Sequence, residues 1–322
     1  MPPFFFWKSS VNIGLIDQKG KKMAVIGLDV GGTKIEIALI QDNKIILQKR
    51  TPTERHKGYA HIISNITSLI QAALKETKMN LHRFSGIGIG LPGSVDPSSM
   101  KMINGNTQAF IDQDLIGDLK RNLDTDIDIK CANDANCFAL AESILGVGKE
   151  YPIDAVGIGI IIGTGCGSGI TIGRKIFSGS RGGAGEAGHT TLHENGRDCY
   201  CGKNGCAELY LSGRGIEDQY FISNGDRKKA TDVLEDSKLL EKYKKDLGKF
   251  LSNLTNILDP DYFVLGGGLS KYPHLYAGVE KILASKQFLR NYPTPKIHQH
   301  VIGDSAGVLG AALLIESFEL SQ

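Results

Sequence analysis

The chain carries one short pattern twice, and that repetition limits what it can fold into. An apolar run, Val25 to Leu28, leads into Asp29-Val30-Gly31-Gly32-Thr33-Lys34, and a second apolar run, Ile35 to Ile40, follows. This reads as strand, glycine turn, strand, not as the strand-to-helix loop of G-x-x-x-x-G-K-[ST]. The run Val156 to Ile162, the turn Gly163-Thr164-Gly165-Cys166-Gly167 and the run Ser168 to Ile172 repeat it. Two such units imply an internal duplication. Glycine turns let backbone N–H groups approach an anion with no Cβ in the way. Asp29 can hold a cation, while Thr33 and Lys34 add a hydroxyl and a positive charge. Together the two turns suit the phosphate tail of a magnesium nucleotide. A lone copy would read as well as a hairpin with a capping Asp. A third cluster, Gly266-Gly267-Gly268, follows the strand-like Tyr262-Phe263-Val264-Leu265 and offers bare backbone to an adenine or ribose.

The 322 residues suit two domains, and 41% apolar content is ample for a large core. A net charge of +2 without a basic run argues against a nucleic-acid partner. No apolar run has the length of a membrane helix, and Met1 to Lys22 has no secretory cleavage pattern. Residues 1–22 are expected to be a disordered leader or to follow a misplaced start, and the location is expected to be cytoplasmic. Of the six cysteines, Cys131, Cys137 and Cys166 read as inert buried thiols.

Strands are expected near Ala24 to Val30, Ile35 to Ile40, Ile45 to Arg50, Gly86 to Leu91, Ile127 to Cys131, at Tyr262 and over Lys296 to Ile302. Helices are expected near Tyr59 to Lys78, Asp114 to Asn122, Asp134 to Leu145, Ala207 to Ile222, Leu239 to Leu258, Leu275 to Ser285 and from Ser305. Mixed elements in two similar halves mean two α/β lobes around a cleft. The expected division is 23–132 plus 305–322 for a smaller lobe and 133–304 for a larger one.

Asn133-Asp134 stands where a strand ends and a helix begins. A carboxylate there can accept a proton from a substrate hydroxyl, although an Asp at that place is commonly just a cap. In Glu186-Ala187-Gly188-His189, the Glu and His can both face a polyol. In Cys199-Tyr200-Cys201-Gly202-Lys203-Asn204-Gly205-Cys206, three thiolates with His189 suit a Cys3His zinc site, and His193 competes as the fourth ligand. Without metal, such clustered thiols invite oxidation.

These residues together resemble the ROK sugar kinases, over about Ala24 to Leu314. The resemblance implies the actin/hexokinase-like fold, a duplicated, ribonuclease H-like ATPase fold with two lobes and a central cleft. It implies phosphate turns at Asp29, Gly31, Gly32, Thr33, Lys34 and at Gly163, Thr164, Gly165, with Gly266, Gly267 and Gly268 on the adenosine side. Ala132-Asn133-Asp134-Ala135-Asn136 matches the segment of the family's catalytic Asp, implying Asp134 as base and Asn133 as sugar ligand. Leu91-Pro92-Gly93 resembles the sugar-side turn, and Asn106 the sugar-binding Asn. Glu186-x-Gly188-His189 and Cys199-x-Cys201-Gly202-x-x-Gly205-Cys206-x-Glu208 match the family's sugar and zinc elements. Glu186, His189 and Glu208 are then sugar ligands, and His189, Cys199, Cys201 and Cys206 hold a structural zinc. His189 is expected to keep its other ring nitrogen open for a sugar hydroxyl.

The implied reaction is transfer of the γ-phosphoryl group of ATP, with Mg2+, to the 6-hydroxyl of a hexose of the fructose, mannose or glucose type. The alternative acceptor is N-acetylglucosamine or N-acetylmannosamine. Pro92-Gly93-Ser94, the cysteine loop and Gly303-Asp304-Ser305 lean to the plain hexose, while Asp134 to Leu140 and Leu211 to Gly215 resemble the N-acetylglucosamine kinases. Ala187 departs from both, which usually carry an aromatic there. A sugar-responsive regulator of the same family is the non-enzyme rival, but 22 residues before Met23 are too few for a helix-turn-helix domain. The expected partners are the sugar and ATP, with neither nucleic acid nor membrane, in a homodimer.

Overall fold

The structure is a computed structural model and describes residues 23–42, 44–96, 98–105 and 108–315. The expected leader 1–22 and the candidate Asn106 lie outside the described residues. The chain forms two compact units. One holds the described residues up to Cys137, Gly179–Gly183 and those from Ser305 on; the other holds Phe138–Ser178 and Ala184–Asp304. Residues 133–137 and 179–183 thus group with the first unit and not with the larger half.

The first unit starts with an antiparallel meander, β1 (Ala24–Val30), β2 (Lys34–Gln41) and β3 (Lys44–Pro52). Helix α1 (Tyr59–Thr77) leads to β4 (Phe84–Leu91), parallel to β1. A small hairpin of β5 (Gly93–Val95) and β6 (Met102–Gly105) precedes α2 (Leu115–Leu123). Then come β7 (Asp128–Asn133), parallel to β4, and α3 (Asp134–Ile144), which is counted with the first unit as far as Cys137 and with the second from Phe138. The sheet order is β3-β2-β1-β4-β7.

The second unit repeats this plan. β8 (Val156–Ile162), β9 (Cys166–Ile172) and β10 (Lys175–Ile176) form the meander. Helices α4 (Glu208–Leu211), α5 (Gly213–Asn224), α6 (Ala230–Val233) and α7 (Ser237–Leu258) follow. β11 (Tyr262–Gly266) lies parallel to β8; α8 (Val279–Lys286) and β12 (Lys296–Gln299), parallel to β11, complete the sheet. Its order, β10-β9-β8-β11-β12, is that of the first sheet. The duplicated α/β plan expected from the two glycine turns is the observed one. Helix α9 (Ala306–Leu313) then belongs to the first unit.

Periodicity explains these elements. β1 reads as a nearly unbroken apolar run because both faces of its sheet are covered. Ile62, Ile66, Leu69, Ile70 and Ala73 recur at helical spacing on α1 and are buried. Each fully buried isoleucine contributes about 1.5–3 kcal/mol. Helix α9 lies close on β1 and β4; a Cβ on Gly88 would stand 1.7 Å from the Ala311 carbonyl oxygen.

The elements differ from the expected ones in these places. The helix expected over Ala207 to Ile222 is broken at Ser212, whose extended backbone (φ −76°, ψ 157°) lets its hydroxyl accept from Gly215 N and start α5. The last strand ends at Gln299 and not at Ile302. The β5–β6 hairpin has too few apolar residues to show in the sequence. No helix among the described residues is long and apolar enough to cross a membrane.

Candidate active site

In the first unit, the turn Gly31–Thr33 closes by Gly31 N donating to Lys34 O at 2.9 Å. Thr53, just past β3, braces it: its hydroxyl donates to Gly31 O at 2.6 Å and its N–H to Thr33 O at 3.0 Å. Thr53 was not singled out from sequence, where it is one polar residue after a strand. Asp29 precedes the turn and pairs across the sheet with Glu36. Glu36 is buried, and Arg50 reaches it with Nε at 2.9 Å and Nη2 at 3.0 Å, with Gln48 donating as well. Burial, reinforced by Glu36, lifts the Asp29 carboxyl to about 6 against the pull of Lys34 and Arg50. Its oxygen also approaches the first turn of α9, where a Cβ on Gly307 would stand 2.8 Å away.

Asp134 opens α3, but it is not the cap. Asn133 Oδ1 accepts from Ala135 N at 2.8 Å and Asn136 N at 3.3 Å, and Asn133 Nδ2 donates to Gly93 O at 3.2 Å. Asn133, expected as a sugar ligand, spends its amide on helix α3 and on the Gly93 segment. Asp134 Oδ1 accepts from Ala135 N at 2.8 Å. Burial, with the charges of Asp29 and Asp134 behind it, holds the Cys137 thiol well above its ordinary value. The two carboxylates therefore share one neighbourhood around Cys137. Gly93 must be glycine: a Cβ there would stand 2.1 Å from Asn104 O.

In the second unit, the turn Gly163–Gly165 closes by Gly163 N donating to Gly165 O at 3.0 Å, and Gly213 N donates to Gly163 O at 2.8 Å. Glu208 Oε2 accepts from Cys166 N at 2.9 Å, and a Cβ on Gly165 would stand 2.7 Å from that oxygen. Glu208 therefore braces this glycine turn, a role its sequence match did not announce. Gly266 packs on the Phe138 ring, Gly267 takes φ 82° against Ile162 O, and only Gly268 faces open space. The first two glycines of that cluster thus have packing reasons of their own.

The ligand atoms of His189, Cys199, Cys201 and Cys206 lie within 4.8 Å of one another. Cys201 and Cys206 Sγ are 3.6 Å apart, and Cys199 Sγ is 3.7 Å from His189 Nδ1. A tetrahedral zinc with bonds of about 2.0–2.3 Å needs edges of this size. Although burial pushes the Cys201 thiol up, the Lys203 N–H and the neighbouring thiols bring it below its ordinary value. His193 is turned elsewhere: its Nε2 is 2.8 Å from Asp246 Oδ1 and its ring stacks near Tyr210. Of the two histidines weighed as fourth ligand, His189 is the one placed with the cysteines. Its Nε2, expected to be open, has the Tyr200 hydroxyl 3.1 Å away. Glu186 begins the short turn Ala187–His189, and the Ala187 side chain joins the buried core.

A model of the ROK family matches residues 25–317. The N-acetyl-D-glucosamine kinase of Yersinia enterocolitica is 35% identical over 311 residues, covering 89% of this chain and 98% of that protein. Among solved structures, the ROK hexokinase from Thermus thermophilus is 28% identical with a TM-score of 0.76, over 90% of this chain and 97% of that one. A ROK family glucokinase from Streptomyces griseus, in complex with glucose and AMPPNP, is 25% identical with a TM-score of 0.74, over 90% and 98%. With a family match over nearly all described residues and relatives aligned almost end to end, the chain belongs to the ROK family.

Proposed function

We propose that this protein is an ATP-dependent sugar kinase that transfers the γ-phosphoryl group to the 6-hydroxyl of its acceptor. The observation that carries the reading is the repeated glycine turn on two sheets of one strand order. It is supported by the ROK relatives that are sugar kinases.

In the proposed reaction the acceptor oxygen attacks the γ-phosphorus, and Asp134 takes the hydroxyl proton. The bond to the bridging oxygen breaks, and ADP leaves with its electron pair. Such transfer depends on positioning and charge neutralisation, with little covalent chemistry by the protein. Backbone N–H groups of Gly31–Thr33 and Gly163–Gly165 would take the phosphates. Asp29, a partly buried carboxyl raised to about 6 by desolvation and by Glu36, suits the nucleotide's Mg2+, which when bound neutralises phosphate charge. Glu186, His189 and Glu208 would hold the sugar. His189, Cys199, Cys201 and Cys206 fit Zn2+, which when bound fixes the loop that carries His189. We also propose a homodimer in the cytoplasm, a state that light scattering would test.

For the acceptor, the loop motifs lean to a plain hexose, and the Yersinia relative to N-acetylglucosamine. The aligned relative covers 89% of this chain, so N-acetylglucosamine is taken first and glucose, mannose or fructose second. Turnover of ATP with each sugar decides it. A kcat/KM tenfold higher for a plain hexose would reverse the order, and no turnover with any would sink the kinase reading. Metal analysis of untagged protein should give one zinc per chain, and an active metal-free enzyme would refute the zinc site.

A further inference from the structure

Tyr200 lies between two cysteines of the cluster, and its hydroxyl sits 3.1 Å from His189 Nε2. The two rings meet edge-on, with centroids 5.2 Å apart and planes at 89°. The other ring nitrogen, Nδ1, faces Cys199 Sγ at 3.7 Å. When Nδ1 serves the cysteine side as a metal ligand or as acceptor from Cys199, the ring carries its single hydrogen on Nε2 and donates one strong hydrogen bond there. The tyrosine oxygen 3.1 Å away is then its acceptor. Yet Tyr200 is 69% exposed, so its ring can swing while Cys199 and Cys201 hold its backbone.

We propose that the Tyr200 hydroxyl is an internal stand-in for a sugar hydroxyl, holding His189 Nε2 until the acceptor displaces it. This rests on the reading of His189 as a sugar-holding residue. Competition follows from the count of hydrogens. Nε2–H can serve one strong acceptor, and a sugar oxygen that takes it must break the bond to Tyr200. Tyr200 thereby limits sugar affinity without reaching the transferred phosphoryl group.

The test is Tyr200→Phe, which keeps the ring and its edge-on packing. Sugar Kd by calorimetry is compared with KM and kcat for the same sugar. One exposed neutral hydrogen bond corresponds to about two- to tenfold in binding. Tyr200→Phe should bind the sugar about two- to tenfold tighter, with KM lower by the same factor and kcat within about twofold. Weaker binding would make Tyr200 a sugar ligand and overturn the proposal. Unchanged binding would overturn it too, showing no contest at Nε2. Wild-type turnover separates this from the kinase reading: an active wild type with either result overturns the Tyr200 proposal alone. A wild type that binds no sugar overturns both.

Discussion

The two glycine turns share a scaffold and differ in chemistry. Each joins the first two strands of a meander, and each sheet continues with two parallel strands in the same order. Yet the position two residues before the turn is Asp29 in the first unit and Ile161 in the second. The first turn is braced by a threonine, Thr53, and the second by a carboxylate, Glu208. Duplication fixed the backbone path, and side chains then divided the labour: charge control in one copy, a link to the cysteine loop in the other.

The largest expected effect breaks the symmetry at its chemical end. Asp134→Asn should lower kcat by about a hundredfold or more. The melting temperature should hardly move, because Asn133 and not Asp134 caps α3. Near wild-type turnover would remove Asp134 from the chemistry.

Next is Asp29. Its carboxyl is raised from 3.8 to about 6 in the folded chain, so the folded state holds the proton more tightly. This group's stabilisation is present below pH 3.8 and lost as pH rises to about 6. Without nucleotide, Asp29→Asn should exceed wild type by about 2–3 kcal/mol at pH 7 and by little at pH 4. Denaturant curves at the two pH values read the difference, and parallel shifts at both would refute the titration. Ile161 gives the second turn no such dependence.

Alanine at each turn sharpens the contrast further. In Gly165→Ala the new Cβ must evict Glu208 from Cys166 N, at a cost of about 1–2 kcal/mol. Gly31→Ala meets only the Lys34 carbonyl oxygen at 3.3 Å and should stay within about 0.5 kcal/mol. Equal losses would mean that Glu208 is no brace. The smallest effects concern helix starts. Ser212→Ala and Asp114→Ala should each cost about 1 kcal/mol. The buried Ser212 should cost more than the exposed cap of α2, and thermal melts can rank the pair.

Much of the fold was legible because its signals are local. β1, β2, β8 and β9 are apolar runs flanking glycines, and α1 repeats its apolar residues at helical spacing. The break at Ser212 was hidden, since apolar residues continue on both sides and only tertiary contacts favour an extended serine. In the site, Asn133 and Asp134 are both good caps, and the choice between them depends on the Gly93 carbonyl, forty positions away. By spacing His193 competed with His189 for the fourth place, and it is Asp246 on α7 that takes His193 away. Tyr200 carried no sequence signal, because an aromatic between two cysteines can point either way.

Glu208 begins α4 two residues after Cys206, and its far oxygen holds the backbone beyond Gly165. One side chain thus joins the segment after Cys206 to the glycine turn, the two places proposed above to take metal and phosphate. If filling the cysteine cluster raises affinity at the turn by some factor, filling the turn must raise affinity at the cluster by the same factor. Nucleotide titrated into metal-loaded and metal-stripped protein would measure that factor, and equal affinities would show that the carboxylate transmits nothing.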